Sequence, residues 1–299
     1  MTQSQAIADS FGVPLLPLGV GNDESGSPVA RIPQLGFGTY KIAPENAQEI
    51  VENAVEVGYR HIDTAQMYGN EAQVGAALQA TGIARSEFFL TTKLNNPHHE
   101  PDVARRTFAE SLQRLQTDYV DLFLIHWPMP EAYGGDYPGL WRVLQEFVAD
   151  GRARHVGVSN FEVSHLQRLQ SETGIFPQVN QVEVHPWFAN NAVREFTKAH
   201  GGVIEAWSPL ARGRFFDSPV LIETAKRLGR TPAQVVLRWA LERGDVVIPK
   251  SNRVERMREN FAVLELFALD APARAALDSL DRGEAGRTGS HPDHVNGAK

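Results

Sequence analysis

Four side chains able to move a proton fall at or just past the ends of three successive apolar runs. Asp63 lies towards the end of HIDTA, Tyr68 follows it by five residues, Lys93 closes FFLTTK and His126 lies near the end of YVDLFLIHW. A tyrosine is a poor acid near neutrality, with a reference pKa of about 10. A lysine cation beside it favours the tyrosinate and should lower that value. Asp63 can pair with Lys93, fixing it in place and keeping it charged. His126 can hydrogen-bond and orient a substrate oxygen. Such a set protonates a carbonyl oxygen while something else delivers hydride to the carbon. No side chain supplies hydride, so a cofactor is implied. Taken singly, each residue has a plainer reading: Asp63 as a turn cap with Thr64, Tyr68 as packing, Lys93 as a solvated strand end, His126 as a satisfied core histidine. Their joint placement favours chemistry.

Something must hold these groups at one mouth. Eight short runs rich in β-branched or aromatic residues read as strands: QLGFGTY from Gln34, HIDTA from His61, FFLTTK from Phe88, YVDLFLIHW from Tyr119, HVGVSN from His155, QVNQVEV from Gln178, VIEAWSP from Val203 and VVIPK from Val246. Several are nearly continuous apolar stretches, as parallel strands covered on both faces require. Amphipathic segments separate them. PENAQEIVENAVEVG sets Ile50, Ala54 and Val57 on one helical face, with Pro44 in the first turn and Gly58 as the stop. Thr231 and Pro232 open another helix that Gly244 ends. Similar stops stand at Gly82, Gly151, Gly174 and Gly229. Eight such units predict an α/β fold, a closed (β/α)8 TIM barrel, whose chemistry belongs at the C-terminal ends of the strands. The rival doubly wound sheet would carry G-x-G-x-x-G after its first strand, and Gly36-Phe37-Gly38 is not that fingerprint. VPLLPLGVGNDESGSPVAR, before the first barrel strand, suggests an N-terminal β-hairpin capping the barrel bottom. The expected organisation is a single barrel domain over residues 1–299, with about 1–12 mobile and about 283–299 a C-terminal tail.

Composition narrows the classes. The chain has 299 residues, 42% hydrophobic, and a net charge of −7, which argues against a nucleic-acid binder but allows a local basic pocket. With no cysteine, disulfides, thiolate metal sites and Cys nucleophiles are excluded. No apolar run reaches bilayer length, and the first residues lack a secretory pattern, so a cytoplasmic protein without a membrane association is expected. His98-His99 and the HPDH near the C-terminus are weak metal signals, and no metal site is expected.

GYRHIDTAQMYGNE, TTKL, DLFLIHWP, GVSNF, QVEVHP and IPKS, in this order, resemble the aldo-keto reductase superfamily. The likeness runs from about Ile32 to Asn260 and is nearest to bacterial 2,5-diketo-D-gluconate reductases, with KSNRVERMREN and RTGSHPDHV adding to it. The resemblance implies a catalytic tetrad on Asp63, Tyr68, Lys93 and His126. It implies NADPH/NADP+ bound in an extended pose. Ser159, Asn160 and Gln181 would hold the carboxamide, whose donors and acceptors suit amides and hydroxyls. Trp207 would stack on the nicotinamide. Ser208, Pro209, Leu210 and Gly213 would cross the pyrophosphate. Lys250, Ser251, Asn252, Arg253 and Arg256 would form the 2′-phosphate pocket, at a strand end and helix start where an anion is favoured. Glu259 and Asn260 would lie at the adenine, and Thr39 joins the cofactor-binding set.

Two positions depart from many relatives. Asn95, followed by Asn96, stands after TTKL where a Trp is common, and Tyr40 replaces another Trp. The substrate pocket should therefore be more polar at one wall, with Tyr40, Asn95, Trp127 and Trp187 as candidate walls. The expected activity is NADPH-dependent reduction of a small aldehyde, ketone or diketone, with Tyr68 as general acid. The expected partner is a small-molecule carbonyl substrate alone, with no obligate protein partner and a monomer by resemblance. The alternative is a cofactor-binding redox sensor or regulatory module with little turnover.

Overall fold

The apolar runs resolve, in a computed structural model, into two antiparallel strands followed by eight parallel ones. The structure describes residues 12–18, 30–265 and 267–295. Strands β1 (Leu15–Pro17) and β2 (Arg31–Pro33) pair antiparallel, with Leu16 opposite Ile32. The turn joining them lies outside the described residues, as does the segment up to residue 11 expected to be mobile.

The eight parallel strands are β3 (Phe37–Gly38), β4 (His61–Asp63), β5 (Phe89–Leu94), β6 (Val120–Ile125), β7 (Ala153–Ser159), β8 (Val179–Glu183), β9 (Val203–Trp207) and β10 (Val246–Val247). Each pairs with the next in sequence. The ring closes where Leu35 bridges Val247 in parallel, with Gly36 N–H donating to Val247 O at 2.8 Å and Val247 N–H to Gln34 O at 2.9 Å. The expected (β/α)8 barrel is therefore what the chain forms.

Helices cover the outside: α1 (Pro44–Val57), α2 (Glu71–Ala80), α3 (Pro101–Leu115), α4 (Tyr137–Ala149), α5 (Val163–Thr173), α6 (Asn191–Ala199), α7 (Pro219–Leu228), α8 (Pro232–Glu242), α9 (Val254–Phe261) and α10 (Ala271–Asp278). Helix α1 starts at Pro44 and ends on Gly58, whose φ of 127° suits glycine alone. Its buried face is Ala47, Ile50, Val51, Ala54 and Val55, with Val57 only partly covered. The buried stripe is thus turned slightly from the expected one, towards the row through Ala47 and Val51. Helix α8 opens with a reciprocal cap: Thr231 Oγ accepts from Gln234 N–H, and the Gln234 side chain accepts from Thr231 N–H. Among the described residues no helix is long and apolar enough to cross a membrane.

At the N-terminal ends of the strands, Leu18 and Ile32 pack on Phe89, Leu122, Leu124, Val179, Val203 and Val246. The hairpin thus plugs the barrel bottom and leaves the opposite end for chemistry. The segment expected as a tail is ordered into turns at Gly283–Gly286 and Pro292–His294. Arg287 reaches Glu162 at 2.8 Å, and the backbone N–H groups of Thr288 and Gly289 donate to the Glu183 carboxylate at 2.7 and 2.9 Å.

Candidate active site

Strand ends set the reacting side chains. Asp63 is the last residue of β4, Lys93 the penultimate residue of β5, and His126 directly follows β6. Tyr68 ends a single 3-10 turn, Gln66–Tyr68, just after β4. Lys93 has no solvent exposure, and its Nζ donates to Asp63 Oδ1 and Oδ2 at 2.7 and 2.8 Å, to Thr64 O at 2.9 Å and to the Tyr68 hydroxyl at 3.3 Å. The Tyr68 ring meets the His126 ring edge-on at 5.8 Å. All four predicted residues therefore meet at one point.

The charge states follow from burial. Burial opposes the charge on Lys93, but Asp63 and Tyr68 outweigh it and leave the ammonium's pKa raised. Burial pushes the Asp63 carboxyl up, while Lys93 and Gln181 pull it back. His126 is held well below the ordinary imidazole range by burial and then by Lys93, so it is neutral, and its Nδ1 is buried without a protein partner. Tyr68 corrects an expectation. Its pKa is pushed up to about 12, because loss of water outweighs the lowering by Lys93. The lysine limits the rise and does not reverse it.

The predicted carboxamide residues form one connected group. Ser159 ends β7 and its Oγ donates to Gln181 O at 2.8 Å. Asn160, at φ 63°, donates to His126 O at 2.9 Å and accepts from the Trp207 indole at 2.8 Å, which fixes the indole plane. Gln181 spends both amide hydrogens on carboxylates, Asp63 Oδ2 and Glu205 Oε2, each at 2.8 Å. Thr39 is fully buried and donates to Asp63 O. Beyond Trp207 the loop through Ser208, Pro209, Leu210 and Gly213 carries three non-glycine residues at positive φ, Ser208, Ala211 and Arg212. Such concentrated strain marks functional loops. Lys250, Asn252, Arg253 and Arg256 are exposed at the start of α9, whose first turn has no side-chain cap, while the buried Ser251 Oγ accepts from Arg253 N–H. An uncapped helix start ringed by cations fits an anion such as a phosphate. Glu259 has one oxygen on the Thr231 hydroxyl at 2.6 Å, and Asn260 is buried.

The pocket residues divide. Tyr40 is 44% exposed and its ring lies 5.0 Å from that of Tyr68. Trp127 is partly exposed beside His126. Asn95 turns its Oδ1 back to Asn96 N–H, and its own N–H donates to Gln66 Oε1. Trp187 is covered by Arg282, 3.8 Å above its ring, and packs on Phe215. The tail lies over the mouth: a Cβ on Gly289 would stand 2.5 Å from the edge of Trp207, so only glycine passes there.

Several contributors escaped the sequence reading. Gln66 donates to Thr107 O and Ser111 Oγ while holding the Asn95 loop. Asn70 donates to Thr39 O and Ile42 O, tying the first two strand-end loops together. Both sit in the motif around Tyr68, and their polarity in a loop gave no hint of these bonds. Glu205 was signalled only by a lone carboxylate inside an apolar strand, two residues before Trp207 and so on the same face.

The profile described as the Aldo/keto reductase family matches residues 34–282. Methylglyoxal reductase DkgA of Salmonella typhimurium is 44% identical over 269 residues, covering 89% of this chain and 95% of that protein. Glyoxal reductase of Bacillus subtilis is 41% identical over 266 residues, covering 89% and 94%. A variant of Gox0644, solved in complex with NADPH, superposes with a TM-score of 0.86 at 39% identity, covering 95% of this chain and 99% of that one.

Proposed function

The chain belongs to the aldo/keto reductase family, and from that membership we propose that it reduces a small aldehyde, ketone or dicarbonyl to the alcohol with NADPH. When bound, NADPH supplies a hydride to the carbonyl carbon. The chain's own residues do the rest. Tyr68 gives its proton to the carbonyl oxygen. Lys93, held by Asp63 and Thr64 O, stabilises the tyrosinate left behind. Neutral His126 orients the same oxygen. Asn160 fixes the plane of Trp207, against which a flat ring can lie. The cations Lys250, Arg253 and Arg256 at the uncapped start of α9 suit a 2′-phosphate, which favours NADPH over NADH.

The observation that carries this reading is the buried Lys93 bonded at once to Asp63 and to the Tyr68 hydroxyl. Because burial alone would leave Tyr68 a very weak acid, that lysine is the group able to make its deprotonated form tolerable. The test is NADPH consumption with methylglyoxal, chosen because the Salmonella relative is named for it. Tyr68→Phe should bind NADPH as the parent does, by fluorescence titration, and lose turnover by about 10²–10⁴-fold, the usual worth of general acid catalysis. Near-parental turnover in the variant would remove Tyr68 from this role. Equal efficiency with NADH would remove the phosphate pocket.

A further inference from the structure

Behind the tetrad lies a second buried carboxyl with no cation of its own. Glu205 points from β9 and has no solvent exposure. Its Oε2 accepts from Gln181 Nε2 at 2.8 Å, and the same amide nitrogen donates to Asp63 Oδ2. Its Oε1 has no hydrogen-bond partner, although His61 Nε2 stands 3.3 Å away. His61 Nδ1 faces the carbonyl of Pro33 at 3.3 Å and must carry a hydrogen there, so Nε2 is an acceptor, approached by the Thr91 hydroxyl at 3.2 Å, and has no hydrogen to offer Glu205. A proton on Glu205 Oε1 removes the opposition of a carboxylate oxygen and a ring lone pair 3.3 Å apart.

We infer that Glu205 is a positioning residue that carries this proton at neutral pH and thereby lets Gln181 grip Asp63 without setting a second negative charge beneath Lys93 and Tyr68. The inference rests on the reductase reading for its kinetic consequence, not for the proton itself.

The surroundings offer Glu205 no free cation. Facing Glu205 are His61 and Asp63 of β4, Lys93 of β5 and the neutral amide of Gln181 on β8, while β10 brings the apolar Val246 into register with it. Lys93 is already neutralised by Asp63. A second carboxylate would be an uncompensated charge in the barrel interior, which is costly. Burial, then the Asp63 charge, accordingly push the Glu205 carboxyl up to about 8. Burial holds His61 at about 3, which keeps the proton on the glutamate side. Above that range Glu205 ionises, the field at Tyr68 becomes more negative, and Tyr68 becomes a poorer donor.

Two measurements decide the matter. The first needs no turnover. A carboxyl raised on folding binds its proton more tightly in the folded chain, so its contribution to stability is complete at low pH and fades as pH rises towards 8. Urea unfolding of the parent and of Glu205→Gln should therefore diverge between about pH 5 and 8. The parent's unfolding constant should rise, relative to the variant's, by up to about tenfold per pH unit. Parallel curves overturn the proton. If the variant does not fold, infrared spectra of the parent serve: a protonated-carboxyl band at pH 7 that fades above pH 8 is expected, and its absence overturns the proposal. The second measurement is the pH profile of kcat/KM for methylglyoxal. The parent should lose activity above about pH 8, and Glu205→Gln should move that fall to higher pH, whatever its rate at pH 7. An unmoved profile beside divergent unfolding curves overturns the positioning role. A parent without turnover would instead count against the reductase reading, and the unfolding curves would still judge Glu205.

Discussion

With its hydrogens committed to Asp63, Thr64 O and Tyr68, Lys93 couples the stability of the pocket to its chemistry. Removing it alone strands a buried carboxylate. Lys93→Met should cost about 3–5 kcal/mol in urea unfolding, the usual penalty for breaking a buried pair. Adding Asp63→Asn should recover a large part of that loss, since the double variant buries no unpaired charge. A double variant no more stable than the single one would mean that the pair contributes little beyond packing. The four reacting residues were legible because strand ends announce themselves in an apolar pattern. The acidity of Tyr68 was not. Its direction depends on how much water the fold removes, and the lysine and the burial pull opposite ways.

Elements place these groups through their ends. Thr231 caps α8 and also donates to Glu259 on α9, so one hydroxyl starts a helix and steadies a residue proposed at the adenine. Thr231→Ala should lower stability by about 1 kcal/mol, as lost caps do, while Thr231→Ser should keep most of it. Denaturant midpoints of the two variants compare them directly, and equal midpoints would deny the cap its value. The cap was readable from Thr231 and Pro232, and Gln234 completed it three residues on. The face of α1 was readable to within one row, because helical period is local while the sheet chooses which row it meets. The hold of Glu183 on Thr288 and Gly289 spans more than 100 residues of chain, and no local pattern encodes a bond of that reach.

At the scale of the whole barrel, the two ends divide stability from reaction. Ile32 is fully buried in the plug at the N-terminal ends of the strands. Ile32→Ala should cost about 2–5 kcal/mol by opening a cavity there, yet leave kcat with methylglyoxal unchanged. A large fall in kcat at temperatures where the variant is folded would show that the plug transmits strain to the mouth. The barrel itself was legible from eight alternating units. The pairing that closes it was not, because Leu35 and Val247 meet across 247 − 35 = 212 residues. That seam sets a clock on biosynthesis. At roughly 5–20 residues per second, on the order of 10–40 s pass between synthesis of the first barrel strand and of the strand that seals it. Throughout that interval the growing sheet presents a bare edge of unpaired amides and carbonyls, a template for another nascent chain. The same closure that leaves the finished ring without an edge makes every unfinished copy a candidate for pairing with its neighbour on the ribosome.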